Sequence, residues 1–137
     1  MKTVLIAAAL TLAAPAALAG DTLYDDLGGQ PVIDRVTDRL VDALVSDPRT
    51  AATFAHSDVD RVRAKLKLQL CEVADGPCAY DGLSMADSHM GHDLTEAHFN
   101  AMVEMARDAM DAEGVGFGAQ NRLLARLAPM HGDVVTK

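Results

Sequence analysis

Three groups of residues carry types that could do chemistry. The run His89-Met90-Gly91-His92, with Met85 just before it, sets imidazoles beside thioethers. Those ligand types suit copper. The two cysteines and five histidines form no paired short motifs, so no zinc pattern is present. Cys71 and Cys78 form the second group. Their spacing is not C-x-x-C-H, which excludes haem attachment through cysteine. In an oxidising compartment a local disulfide is expected, worth about 2–3 kcal/mol by loop closure. Two buried thiols are the other reading. The third group is Lys65 and Gln69, polar side chains on a helical face that otherwise reads apolar. A buried unpaired ammonium is expensive, so Lys65 needs a partner, an exit to solvent or a metal. Snorkelling to the rim is the plainest exit. Lys67 points elsewhere and reads as solvated.

The elements that position these residues are helical throughout, with no strand-like alternation. Leu23 to Leu27 is a short apolar-acidic turn ending at Gly28-Gly29. Pro31 opens a helix, with Val32, Ile33, Val36, Leu40, Val41, Leu44 and Val45 at the helical period, and Asp47-Pro48 stops it. A Thr- and Ala-rich connection leads to Phe54. Asp58 caps the next helix, whose stripe is Val59, Val62, Leu66, Leu70 and Val73. Asp75-Gly76-Pro77 ends it. Thr95, His98 and Phe99 begin a third long helix with Met102, Val103, Ala106 and Met110 on one side, and a last helix runs from about Ala119 to Met130. The stretch 75–94 is long and poor in regular helix, and it holds both His89 and His92. Long irregular segments in small domains are often functional.

The chain has 137 residues, enough for one domain. Half are hydrophobic, so a core can form and the chain is not a disordered tail. Acids outnumber bases 20 to 12, a net charge of −8, which disfavours a nucleic-acid backbone or anionic lipid as partner. There is no Trp, with three Phe, two Tyr and seven Met. Small and flexible apolar side chains leave irregular space. Either helices pack closely through small residues, or something else fills the middle. Residues 1–19 read as a cleaved secretory signal peptide: a basic Met1-Lys2, an apolar run from Val4 to Ala13, and Ala17-Leu18-Ala19 as the cleavage site. Residues 20–137 are then the domain, exported to a bacterial periplasm with no stable membrane anchor after cleavage.

Taken together, the order of motifs resembles the truncated globins. It starts with Leu23-Tyr24-Asp25-Asp26-Leu27-Gly28-Gly29 and continues through Asp47-Pro48-Arg49 and Phe54. It is densest in Gln69-Leu70-Cys71-Glu72, Gly76-Pro77-Cys78-Ala79-Tyr80-Asp81-Gly82, Met85 and His89. His92-Asp93-Leu94-Thr95-Glu96-Ala97-His98-Phe99 and Gly114-Val115 complete it, so it covers nearly all of residues 23–135. The resemblance implies an all-α, two-over-two helical sandwich around haem b. It implies His89 as the proximal iron ligand, with His92 and His98 as rivals. Phe54, Val62, Lys65, Leu66, Gln69, Met85, Phe99 and His131 are the other implied cofactor-binding residues.

The distal side departs from the oxygen-binding pattern of that family. The usual helix-two Tyr falls on Val41, next to Leu40, so Lys65 and Gln69 are the polar candidates that remain. Lys65 occupies the place where some relatives carry a sixth iron ligand, and a lysine ligates only when neutral. Pairing with a haem propionate is its other role, and both stay open. His131, in Ala128-Pro129-Met130-His131, matches relatives whose histidine bonds covalently to a haem vinyl group; without the resemblance it is a polar residue near a frayed end. The family's turn is Gly-Gly-Pro, and Asp75 stands in for the first Gly, at a place where positive φ is required if the turn is kept.

The resulting expectation is a periplasmic haem protein that binds a diatomic gas (O2, NO or CO) or does redox chemistry, with a possible redox partner protein. A periplasmic copper-binding protein using Met85, His89, Met90 and His92 is the alternative. A purely structural helical module is the third reading.

Overall fold

The helices stop and start where local chemistry dictates. In the computed structural model, which describes residues 22–137, Thr22 caps α1 (Leu23–Leu27) by accepting from the Asp25 amide. The signal peptide expected over residues 1–19 lies outside the described residues. Gly28 ends α1 at φ +102°, where a Cβ would press into Val32. Helix α2 (Gly29–Ser46) therefore begins two residues before Pro31, which sits inside its first turn rather than opening it. A 3-10 turn (Ala51–Phe54) leads to α3 (Val59–Val73), capped by the Asp58 carboxylate on the Arg61 amide. After the loop come α4 (Met85–His89), α5 (Glu96–Ala112) and α6 (Phe117–Leu127). A second 3-10 turn (Ala128–Met130) absorbs Pro129 before the short α7 (His131–Val134). No strand forms among the described residues, and none of their helices is long and apolar enough to cross a membrane.

The α2/α3 pair is laid against the α5/α6 pair: α2 packs on both α3 and α5, and α6 reaches α3, α5 and α1. This is the expected all-α, two-over-two arrangement. The packed core is built mostly from α1, α2 and α5, with Leu23, Ile33, Leu40, Leu44, Met105 and Met110 all buried. Helix α1 is locked to the end of α3 by the Tyr24 amide, which donates to Ala74 O at 2.8 Å. At that junction a Cβ on Gly76 would press on Tyr24 and lie 2.6 Å from Cys71 Sγ, so only glycine fits. Asp75 sits beside it at φ +62°, the conformation the missing glycine requires, and its carboxylate accepts from Arg126 at 2.7 Å. Cys71 and Cys78 are bonded to each other, the first of the two readings of the pair.

Candidate haem-type cavity

Helix α3 is where the burial pattern changes. Its stripe residues Val62 and Leu66 are only half-buried, and so are Lys65 and Gln69. All four face a cavity of about 500 Å³. That volume lies within the ~300–1,000 Å³ range of sites for small molecules and cofactors. Val36, Leu40 and Leu44 of α2 form its floor, with Phe54 at one side. Phe99, Met102 and Met110 of α5 and Leu123, Leu124 and Leu127 of α6 close the far side. Tyr80, Gly82 and Leu83 of the loop after α3 line the edge nearest α4. Most of the wall surface is aliphatic, aromatic or thioether, with polar side chains such as Arg61 and Lys65 also on the lining, which suits a large apolar group that carries charged edges.

Of the four histidines that line this cavity, His56, His89, His92 and His98, His89 has the hydrogen bonds of an oriented imidazole. Ser84 caps α4 by accepting from the Asp87 amide, and α7 packs against the helix. The last residue of α4, His89, has its Nδ1 2.8 Å from Met85 O and 3.0 Å from Ser88 Oγ, while the Ser88 hydroxyl donates to the same carbonyl at 3.1 Å. A carbonyl only accepts, so Nδ1 carries the hydrogen and Nε2 keeps its lone pair. A backbone carbonyl behind Nδ1 is the usual device for orienting a ligating imidazole and raising its basicity.

The rival histidines are not so prepared. His98 also lines the cavity, but its Nδ1 accepts from the Thr95 amide at 3.1 Å while Thr95 Oγ1 accepts from the His98 amide at 3.4 Å. This capping box leaves the hydrogen of a neutral ring on Nε2, which then has no lone pair for a metal. His92 is exposed in a turn at the rim.

Of the other expected residues, Phe54, Val62, Lys65, Leu66, Gln69, Met85 and Phe99 all line the cavity together with His89. His131 does not; it packs edge-on against Phe99, ring centroids 4.6 Å apart, and its Nε2 lies 2.7 Å from Glu96 Oε2. Lys65 Nζ is 2.6 Å from Asp81 Oδ1, so the ammonium finds its partner at the rim, and it holds the Asp81 carboxyl below the ordinary carboxylate range. Lys67 is not simply solvated, since it pairs with Asp38 at 2.9 Å and lowers that carboxyl's pKa. Gln69 Nε2 finds only sulfur among the described residues, Met85 Sδ at 3.1 Å and Met130 Sδ at 3.6 Å. Thioethers are weak acceptors, so this amide is nearly unpartnered against the cavity.

Two expectations are corrected. Val41 is fully buried but lies off the cavity lining, because α2 turns Val36, Leu40 and Leu44 to it instead. The copper cluster does not converge either: Met90 is 71% exposed on the surface, whereas Met85 and His89 face inward. Sequence reasoning missed Ser88, Tyr80 and Met130 as members of the site. A neighbour of a ligating histidine is a fair place to look for an orienting group, but nothing local marks Met130, which reaches Gln69 from the far end of the chain.

Comparison with known proteins agrees with this geometry. The family model described as "Bacterial-like globin" matches residues 22–136. A group 1 truncated hemoglobin GlbN from Nostoc sp. (strain MUN 8820) is 34% identical over 116 residues, spanning 85% of this chain and 98% of its own length. A truncated hemoglobin from Tetrahymena pyriformis in its Fe(III) form superposes with a TM-score of 0.81 at 24% identity, covering 85% of this chain and 100% of that one. The 2/2 hemoglobin from Synechococcus sp. PCC 7002, in the cyanomet state and with covalently attached heme, gives 0.77 at 20% identity, over 85% of this chain and 99% of that one. The chain belongs to the bacterial-like globins and has the truncated globin fold.

Proposed function

We propose that this bacterial-like globin holds haem b through His89 Nε2 and uses the iron to bind a diatomic gas or to pass electrons. The observation that carries this reading is the His89 imidazole, its Nδ1 hydrogen directed to Met85 O and its ring lining an apolar cavity. The residues present fit such a group: apolar walls for a porphyrin face, an imidazole lone pair for iron, and Arg61 and Lys65 on the lining for its carboxylates. Bound there, haem would supply an iron able to take a small gas ligand and a one-electron couple.

The distal wall shapes what the site prefers. Val62 and Leu66 are apolar, the Gln69 amide has only weak sulfur acceptors, and Asp81 holds the Lys65 ammonium at the rim. Among the described residues Gln69 is then the one lightly held donor on this wall, and Val41 stands in place of the distal tyrosine, which favours NO and CO over O2 relative to globins that carry that tyrosine, since distal donors are a main lever for oxygen. Lys65 has two roles open to it, a second protein ligand or a propionate partner. The ion pair to Asp81 keeps the ammonium at the rim, where the second role lies.

Titration of the purified protein with hemin is expected to give a Soret band and stoichiometric binding. A folded protein that leaves hemin free in every redox state overturns the reading. Ferrous protein is expected to bind CO more tightly relative to O2 than globins with a distal tyrosine do. A covalent bond from His131 is proposed as well, on the strength of its contact with Phe99 at the cavity wall and of the Synechococcus relative's attached heme. It is tested by whether acid–acetone extracts the haem after reduction. Export to the periplasm is proposed from the apolar run Val4 to Ala13 and the Ala17-Leu18-Ala19 site. It is tested by the N-terminal residue of protein recovered from the periplasmic fraction.

A further inference from the structure

The segment from Cys78 to Ser84 is a strap that joins α3 to α4 and forms one edge of the cavity through Tyr80, Gly82 and Leu83. None of its residues is buried, and among the described residues only Cys78, at its start, packs against the apolar core, so residues 79–84 have little apolar packing to lock them. Its restraints come chiefly from a single helix, α3. Cys71 holds it through the disulfide to Cys78. Glu72 Oε1 accepts from the Tyr80 amide at 3.2 Å. Lys65 Nζ sits on Asp81 at 2.6 Å. The Tyr80 hydroxyl donates to Leu83 O at 2.7 Å, a bond within the strap itself. The disulfide is the only covalent tether; the polar ones are solvent-exposed and individually weak.

We propose that the Cys71–Cys78 bridge is a thiol-exchange switch that sets where the Lys65 ammonium can go. With the bridge closed, the strap stays short and Asp81 keeps Lys65 at the rim. With it open, the strap loosens, Asp81 leaves its place, and Lys65 is free to turn into the cavity it already lines. This deepens the haem reading above and rests on it for the iron, but the motion of the strap and of Lys65 belongs to the polypeptide alone.

The reductant is a dithiol. Its thiolate attacks Cys78 Sγ, because Cys78 is half-buried while Cys71 has no exposed surface. The Sγ–Sγ bond breaks and Cys71 leaves as thiolate. The second thiol of the reductant then displaces Cys78, so the bridge gains two electrons and two protons and the reductant departs as its own disulfide.

The test compares the full chain with Cys71→Ser/Cys78→Ser, with Asp81→Asn, and with the wild type opened by a phosphine reductant. In haem-free protein, loss of the bridge is expected to speed amide exchange over residues 79–84 by about tenfold or more while α2 is unchanged. Acylation of Lys65 by a soluble active ester, mapped by mass spectrometry, is expected to quicken several-fold in the bridge-free chain and in Asp81→Asn alike. In hemin-loaded protein the bridge-free chain is expected to gain a ferric low-spin fraction that Lys65→Ala abolishes. Wild-type exchange and acylation rates without the bridge overturn the switch. So does global unfolding under both the double substitution and simple reduction, which would make the bridge a staple only. Failure to bind hemin at all sinks the haem reading but leaves the exchange and acylation results to decide the strap. Faster acylation without a Lys65-dependent spectral change overturns the part of the proposal that brings Lys65 to the iron.

Discussion

Helices α2 and α3 are neighbours with similar apolar periodicity, yet they end differently. Over its length α2 buries Ile33, Val36, Thr37, Leu40, Val41 and Leu44, and α5 behind it buries Ala101, Met105, Ala106, Ala109 and Met110. Helix α3 buries only Leu70 and Cys71, and α4 buries nothing. Half of the molecule is a closed protein core; the other half turns an equally regular stripe toward a cavity of about 500 Å³. Amphipathic spacing shows that a face is covered. It does not say whether protein or cofactor covers it.

The largest expected effect separates these halves directly. Leu23, with no exposed surface, is expected to lose about 2–5 kcal/mol on Leu23→Ala, measured by denaturant unfolding of the haem-free chain. Leu66→Ala, on the cavity wall, is expected to lose less than about half of that, because much of its surface already lacks protein neighbours. Equal losses would erase the distinction.

Next comes the proposed ligand. His89→Ala is expected to weaken hemin binding more than about a hundredfold, beyond the 10–100-fold typical of removing an outer hydrogen-bond partner. The same change should move the stability of the haem-free chain by less than about 1 kcal/mol, the scale of one hydrogen bond. A larger fall in stability than in hemin affinity would mean that His89 serves the core.

The smallest effect concerns the ion pairs. Arg49 holds Asp47 down to about 2, and Arg35 with Arg39 lowers Glu113 on the scaffold, while Lys65 lowers Asp81 on the wall. Carboxyls lowered in the folded state add stability that is present above their ordinary pKa near 4 and is lost as pH falls through the lowered values. Acid unfolding monitored by circular dichroism should therefore steepen below about pH 4. Glu113→Gln is expected to shift that transition, whereas Asp81→Asn leaves it in place, because the strap it holds is not part of the packed core. Salt should weaken the Lys65–Asp81 pair more than the Arg35/Arg39–Glu113 one, since Asp81 is largely exposed and Glu113 is mostly covered.

Much of this was legible in residue order. Asp58 and Thr95 announce their helices because a side-chain oxygen two or three residues ahead of free amides satisfies them locally. Asp75 could be placed at positive φ because the turn demands it whatever lies around it. The cavity face of α3, with Lys65 and Gln69 on it, follows from counting turns. The errors lie where a side chain's direction depends on its neighbours. Val41 is one step round α2 from the lining, and the solvated reading of Lys67 gave way to Asp38, 29 residues earlier in the chain and brought close only by the α2/α3 contact.

By itself, then, the sequence determined the helices and the caps at Asp58 and Thr95, because each is set by contacts within a few residues along the chain, while the family resemblance pointed to His89 among three histidines and the cysteine spacing left the disulfide as one of two readings. Only the tertiary structure decided which histidine keeps a lone pair toward the cavity, that Asp81 rather than the interior takes the Lys65 ammonium, and that Met130 reaches Gln69. These are pairings between distant segments, and their geometry exists only once α2/α3 and α5/α6 have been brought together.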